Sequence, residues 1–524
     1  MTAHNPMLTR DGGHVIVPWR EDLAQLIPHA KTFEHMGEKL MLIPNGADEC
    51  KVARNVGVHL PSPILTRFDW LGSTPWEVQR TTAAMLTESE RAYLLSTMGT
   101  GKTRSVLYAL VWLLMTGQIK RALVCAPLST LTPVWENEAF QLLFKSKGIR
   151  VQVIYGSRDK RIRLLGGDYE IAVINHHGLP MLAPELVARA FDVVVIDELA
   201  VFRNRSTQLW RAANEVINQP SVKYAWGLTG APTPTSPVDA WAQVRLLTPN
   251  RTTRTKGAFE NMTMRQISQF KWVPRPEANQ IVFDAMQPAT RYTMEDIQEL
   301  PPTVYTTRDV KLDPLAQSAY DQLYRKMRVI TQAGDTITAV NEGVLQGKLL
   351  QVATGFIYTD RKTVYALPAT GRLRALDETI AETDRKVIVF VPFIHALAGI
   401  AAHLRAKGHV VSVVYGATPR GQRDRIFTAF QTLPSPRFLV AHPGCMAHGL
   451  TLTAANTIIW YSPPMSLETY DQANARIVRP SQTSRTLICH LAGTQVERLT
   501  YTRLRTRTRM QGVLLEMFRN QTKT

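Results

Sequence analysis

"LLSTMGTGKTRSVLYALVWLL", residues 94–114, begins as an apolar run, turns through two glycines and leaves as an apolar helical run. "AYLLST" (92–97) reads as a buried strand, and "KTRSVLYALVWLLMTG" (102–117) as a helix closed by Gly117. Met98, Gly99, Thr100, Gly101, Lys102 and Thr103 lie between them. A strand ending in a glycine turn at a helix N-terminus presents unpaired backbone N–H groups to an anion. Gly99 and Gly101 let the backbone approach closely, Lys102 can reach outer phosphates, and the Thr103 hydroxyl suits a magnesium ion. Ser96 stands where the first glycine of GxxxxGKT would be, and an ordinary capped turn uses the same residue types. The placement between strand and helix favours phosphate binding.

Working outward, short near-continuous apolar segments alternate with helical patterns over residues 66–249: "ALVCAP", "VQVIYG", "IAVIN", "VVVIDE" and "AWGLTG". Such strands suit a parallel sheet covered on both faces. The alternation returns over residues 368–490 with "KVIVFV", "VVSVVYG", "RFLVAHP", "TIIWYS" and "TLICHL". Residues 250–367 change character and read as a linker with a helical protrusion. Residues 1–65 read as a small separate α+β unit, ending in the proline-marked "LPSPI". Residues 491–524 read as a basic helical segment. The expected class is α/β, with two tandem parallel-sheet lobes, helical insertions and a small N-terminal domain.

The chain has 524 residues, enough for roughly two to four domains. Its 61 Lys+Arg against 43 Asp+Glu give a net charge of +18, which favours a polyanionic partner, most often nucleic acid. The four cysteines, Cys50, Cys125, Cys445 and Cys489, form no CxxC pair, so neither a zinc site nor a disulfide framework is indicated. This fits a reducing cytoplasm. "MTAHNPMLTRDGG" lacks the apolar core of a signal peptide, and "ALVWLLM" is too short to cross a bilayer. The expectation is a cytoplasmic protein with no membrane partner.

Several further segments carry chemistry. "VVVIDE" ends an apolar strand in Asp197 and Glu198; the first can hold magnesium, and the second can orient or deprotonate an attacking water. In "STPWEVQ", the Gln79 amide offers donor and acceptor to an adenine edge. Ser129 and Thr130 follow the strand "ALVCAP", where small hydroxyls can bond phosphate oxygens of a nucleic-acid strand. Thr229 and Gly230 end "AWGLTG", near the expected hydrolysis site; turn chemistry alone would also place them there. In the second lobe, Gly416 ends a strand, and Gly449 and Thr451 precede another. Gln472, Arg476 and Arg479 have the spacing of one helix face. Two arginines there are either a solvated stripe or a device that neutralises γ-phosphate charge in the transition state.

In this order the segments resemble superfamily 2 helicases, and specifically the Swi/Snf-like double-stranded DNA translocases. "MGTGKT", "CAPLSTLTPVW", "VVVIDE", "LTGAP" and "QANARIVRPSQ" resemble that family's motifs I, Ia, II, III and VI, and "AHGLTLTAANTII" its motif V. "RYTMEDIQELPP" and "KLLQVATGFIY" resemble the segments after the first lobe and before the second; the likeness spans roughly residues 68–515. It implies two RecA-like lobes and a DNA-dependent ATPase using ATP and Mg2+. ATP would be bound by Gln79 and residues 98–103, with Thr103 and Asp197 on the metal. Lys102, Asp197, Glu198, Arg476 and Arg479 would be catalytic. Ser129, Thr130, Gly416, Gly449 and Thr451 would contact DNA, while Thr229, Gly230 and Gln472 would couple hydrolysis to movement. The compact N-terminus and the lack of chromatin-reading segments resemble bacteriophage and bacterial members, which implies action in a bacterial or phage-infected cell. A monomer on duplex or branched DNA is expected. An RNA helicase and a catalytically weak nucleic-acid scaffold are the alternatives. The sequence departs from the family at Leu199 and Ala200, where His commonly ends motif II, at Ala231 for a frequent Thr, and at Thr451 for a frequent Asn.

Overall fold

The computed structural model describes residues 6–144, 148–268, 271–297, 301–326, 328–330, 336–338, 342–361, 363–446, 451–479, 482–505 and 521. The chain divides into two compact units between Ile297 and Gln298.

The first unit is built on a seven-stranded sheet in the order Ala289–Thr290, Arg91–Leu94, Tyr224–Leu228, Val193–Asp197, Ala122–Ala126, Ile171–Asn175 and Val151–Ile154. Every neighbouring pair is parallel. Side chains alternate between faces, as a pleated strand requires. Leu123, Ile174, Val194 and Ile196 join one core with Trp210 and Trp241. Val124, Val173 and Val195 join another with Trp135 and the helix Lys102–Met115. Both faces are thus covered, which is why these strands read as unbroken apolar runs.

The N-terminal residues form an antiparallel sheet in the order Met7–Leu8, His14–Pro18, Glu38–Pro44 and Lys31–His35, with its own core around Val15, Met41 and Ile43. This sheet belongs to the same compact unit as the first parallel sheet. The ion pair between Arg54 and Glu88 links its helix Ala47–Asn55 to the helix Glu77–Glu88.

The second unit has a six-stranded, all-parallel sheet in the order Thr303–Asp309, Thr486–Ala492, Ala455–Trp460, Lys386–Phe390, Phe438–Ala441 and Val411–Val414. Helices Pro314–Lys326 and Glu342–Ala353 and the hairpin Phe356–Tyr358/Val364–Ala366 pack around a small core of their own. Arg372 and Glu497 form a fully buried bidentate pair at 2.6 and 2.8 Å. Glu497 also accepts the Gly493 and Thr494 N–H groups, which fixes the start of the helical stretch 495–505.

Two expectations change here. Residues 250–367 are more than a linker and protrusion, because Ala289–Thr290 extends the first sheet and Thr303–Asp309 the second. The C-terminal segment is not helical from its start: residues 491 and 492 end the strand Thr486–Ala492, the helical stretch covers residues 495–505, and residues 506–520 and 522–524 lie outside the described residues.

Candidate active site

Three adjacent strands of the first unit end at one level. Leu228 is in register with Leu94 on one side and Asp197 on the other. Two strand spacings of about 4.8 Å therefore separate the start of the glycine loop from the Asp197 backbone. The crevice beyond the carboxyl ends of a parallel sheet is where ligands bind in such folds.

The glycine loop keeps its shape through residues on both sides of it. Gly99 (φ 88°) and Gly101 (φ 79°) are left-handed, and Gly101 caps the helix Lys102–Met115. A Cβ on Gly101 would also strike Gln79 Nε2, so only glycine fits. Lys102 Nζ donates to the carbonyls of Ser96 and Thr97 at 2.7 and 3.1 Å, which arches the lysine over the loop. Buried Thr100 donates its hydroxyl to Thr97 O at 2.9 Å. Met98 lies on the same turn, and Thr103 in the first turn of the helix. Ser96, the departure from GxxxxGKT, accepts the Tyr292 N–H on its Oγ at 3.0 Å. Arg291 donates to Leu95 O, so "RYTMED" braces the loop from the sheet edge.

Asp197 is held at three points. Its Oδ2 accepts Trp135 Nε1–H at 3.0 Å, its Oδ1 accepts the Glu198 N–H at 3.1 Å, and its carbonyl accepts His176 Nε2–H at 2.8 Å. Glu198 follows in the left-handed region (φ 54°, ψ 54°) and opens the 3-10 turn Leu199–Phe202. Leu199 packs over Gly227, where a Cβ would collide with it. Ala200 is buried, where a histidine was the family expectation. Thr229 donates its N–H to Leu94 O at 2.9 Å, its Oγ1 accepts the Ala231 N–H at 3.2 Å, and Gly230 lies against Ser96 O. The structure thus brings together Lys102, Asp197, Glu198, Thr229 and Gly230. Gln79 touches the loop from below, its Oε1 already accepting the Trp76 N–H at 3.0 Å.

Other expected residues are placed differently. Thr130 is buried, and its hydroxyl donates to Pro127 O at 2.9 Å, so it caps a local turn instead of presenting a group to a phosphate. Ser129 lies in the same short turn, Leu128–Thr130. Gly416 is exposed after the strand Val411–Val414. Gly449 lies outside the described residues. The helix carrying Gln472 ends at Asn474, so Arg476 and Arg479 do not share a face with it; they stand in the turn beyond. Gln472 Nε2 donates to Glu468 Oε1 at 3.2 Å. Arg476 is wholly buried, and its carbonyl accepts the Leu452 N–H. Arg479 donates to Thr451 Oγ1 at 3.1 Å, which joins the expected motifs V and VI. Burial lowers its pKa to about 10, and it stays charged at neutral pH.

Sequence reading missed Trp135, His176 and Arg291, which position the site without belonging to a local pattern. Among the described residues no cluster of three or more His, Cys, Asp or Glu side chains is placed to cage a metal. Magnesium needs no such cage, since one carboxylate, a hydroxyl and phosphate oxygens suit it. Thr103 offers a hydroxyl and Asp197 a fixed carboxylate of that kind. No helix among the described residues is long and apolar enough to cross a membrane.

A glycine loop, a fixed Asp–Glu pair and a second parallel α/β sheet define a two-lobed P-loop ATPase. Residues 78–355 match the SNF2-related domain and residues 371–481 the helicase conserved C-terminal domain; the chain belongs to the SNF2 family of ATP-dependent helicases. It is 27% identical over 425 residues to "Putative protein p41" of Acyrthosiphon pisum secondary endosymbiont phage 1, covering 77% of this chain and 88% of that one. It is 23% identical to an "Uncharacterized ATP-dependent helicase" of Mycoplasma pneumoniae, covering 73% of this chain but 36% of that protein. A solved structure, the Sulfolobus solfataricus SWI2/SNF2 ATPase core in complex with dsDNA, is similar at 21% identity and a TM-score of 0.41, over 86% of this chain and 95% of that chain.

Proposed function

We propose that the protein hydrolyses ATP to move along duplex or branched DNA, as a monomer, in the cytoplasm of a bacterial or phage-infected cell. One observation carries the reading: the glycine loop, Asp197–Glu198 and Thr229–Gly230 meet at the ends of three adjacent strands. The loop amides and Lys102 bind the phosphates, and Gln79 serves the adenine side. Thr103 and Asp197 would hold Mg2+, which would supply charge neutralisation at the phosphates. Glu198 accepts a proton from the attacking water. The guanidinium groups of Arg476 and Arg479 offset charge that grows on the phosphates as the bond breaks. Thr229, Gly230 and Gln472 transmit the change between hydrolysis and the DNA-holding segments. Ser129, Gly416, Gly449 and Thr451 hold the backbone, which suits a motor because phosphate contacts carry no sequence information. Residues 1–65 serve as an accessory domain that selects the DNA structure.

The test is ATP turnover with single-stranded, duplex, forked and four-way DNA, and with RNA. Strong stimulation by duplex or branched DNA is expected. Equal or greater stimulation by RNA would refute the substrate assignment.

A further inference from the structure

The first unit carries a second charged concavity that hydrolysis does not use. Residues 203–206, the helices Gln208–Ile217 and Asp239–Leu247, and Lys256 enclose a pocket of about 780 Å³. Arg203, Arg205, Arg211 and Lys256 line it, and all four are exposed. Among the described residues none of them forms an ion pair, whereas Arg20, Arg150 and Arg158 on the same unit are each paired with a carboxylate. The one acid in the wall, Asp239, accepts the Thr235 N–H and hydroxyl and the Ser236 N–H, so it is committed to its own turn. Four cations lining one pocket repel each other. An anion in the pocket would relieve that repulsion.

The floor indicates which kind of anion. Trp210 and Trp241 are 4% and 5% exposed, and their indole N–H groups donate to Ala242 O and Thr253 O at 2.8 and 3.0 Å. Arg205 lies over both rings, 5.4 and 5.9 Å from their centroids. The aromatic faces therefore hold the arginine in place and offer no platform for an unstacked base. Single-strand sites rely on such platforms. A duplex keeps its bases inside and shows phosphates outside, which is what this surface can grip. The geometry points to a contact for the phosphate backbone of duplex DNA, formed by Arg203, Arg205, Arg211 and Lys256 beside the ATPase centre. It rests on the DNA reading above. Arg203 also donates to Ala200 O at 3.1 Å, inside the turn that follows Glu198, so a phosphate drawing on Arg203 acts on a segment adjoining the acid pair.

The test uses the full chain with Arg205→Gln, Arg211→Gln and Lys256→Gln combined, and a short duplex titrated by fluorescence anisotropy at several salt concentrations. If each cation meets one phosphate, the slope of log affinity against log salt becomes shallower by about 2.7. Arg211→Gln with Lys256→Gln leaves the cover over the tryptophans intact, and should lose about 1.8. Arg150→Gln with Arg158→Gln, which removes two paired arginines, should leave the slope unchanged. An unchanged slope and affinity in a folded triple variant would overturn the pocket while leaving the DNA reading intact. A wild-type chain that neither binds duplex nor is stimulated by it would overturn the DNA reading itself. An equal loss of slope on oligo(dT) would overturn the duplex assignment.

Discussion

Trp135→Phe tests whether Asp197 must be held by the indole. The substitution keeps an aromatic ring in a fully buried place and deletes the N–H that reaches Asp197 Oδ2 at 3.0 Å. A hydrogen bond to a charged acceptor contributes about 1.5–3 kcal/mol, which corresponds to about a 10- to 160-fold loss if the bond is needed only when the reaction proceeds. The loss should appear in kcat/KM and as a higher Mg2+ concentration for half-maximal turnover, because an unfixed carboxylate is a poorer ligand. Ring shrinkage also costs packing, so a control is required. Trp226→Phe supplies it: that indole is equally buried, but donates to the Ser89 carbonyl at 3.0 Å, away from the acid pair. Both variants should lose thermal stability, and only Trp135→Phe should lose turnover. Steady-state ATP hydrolysis across a Mg2+ titration, with thermal melts alongside, measures both. Matching turnover and Mg2+ dependence in the two variants would refute the assignment of Trp135 as a positioning residue.

Lys102→Ala should abolish turnover, and Glu198→Gln should retain ATP binding while slowing hydrolysis at least about 100-fold, both read by single-turnover kinetics. Arg479→Ala should cut turnover at a nearly unchanged melting temperature, whereas Arg476→Ala, at a wholly buried position, should lower both. Glu497→Gln leaves the buried Arg372 charge unbalanced and should cost about 3–5 kcal/mol, a fall in the melting temperature of the second unit of roughly 6–20 °C. Burial raises the Asp471 carboxyl from 3.8 to about 7, so the folded chain holds a proton there that the unfolded chain has released. Its contribution therefore falls as pH rises between those values, and Asp471→Asn should flatten that part of the stability–pH curve measured by denaturant titration.

The sequence made legible whatever was local. The glycine loop is a strand, a turn and a helix within a short window, and the acid pair ends an apolar run; both fall where expected. The positioning groups were not legible, because their partners lie far along the chain. Trp135 is 62 residues from Asp197, and Tyr292 is 196 from Ser96. Ser96 looked like a flaw in the loop pattern until its partner was known; the hydroxyl it brings is what Tyr292 binds. The strand Ala289–Thr290 has two residues, too few for any periodicity. The arginines of the second unit failed for another reason: i, i+4 arithmetic assumed that the helix continued. It ends at Asn474, whose Oδ1 accepts Trp460 Nε1–H at 2.9 Å, and Pro480 immediately after Arg479 was the sequence signal against continuation.

Glu198 shows how the first unit turns one short segment to two uses. A glutamate in the left-handed region costs about 1–2 kcal/mol of backbone strain, and such strain persists only where neighbours over-determine it. Here they do. His176 holds the carbonyl of Asp197, the Asp197 carboxylate takes the Glu198 N–H, and Leu199 fills the space that Gly227 leaves by having no Cβ. Phe202 closes the turn edge-on against the His176 ring, 5.4 Å between centroids. The next residue is Arg203, the first cation of the basic pocket. The acid pair and the pocket are therefore successive parts of one braced segment, residues 197–205, with the 3-10 turn Leu199–Phe202 between them. A ligand that shifts Arg203 meets a turn with little slack, and the strained residue at its far end is the one assigned to the attacking water. On the proposed duplex contact, stimulation by DNA needs no long relay within this unit, only a displacement carried through that single turn.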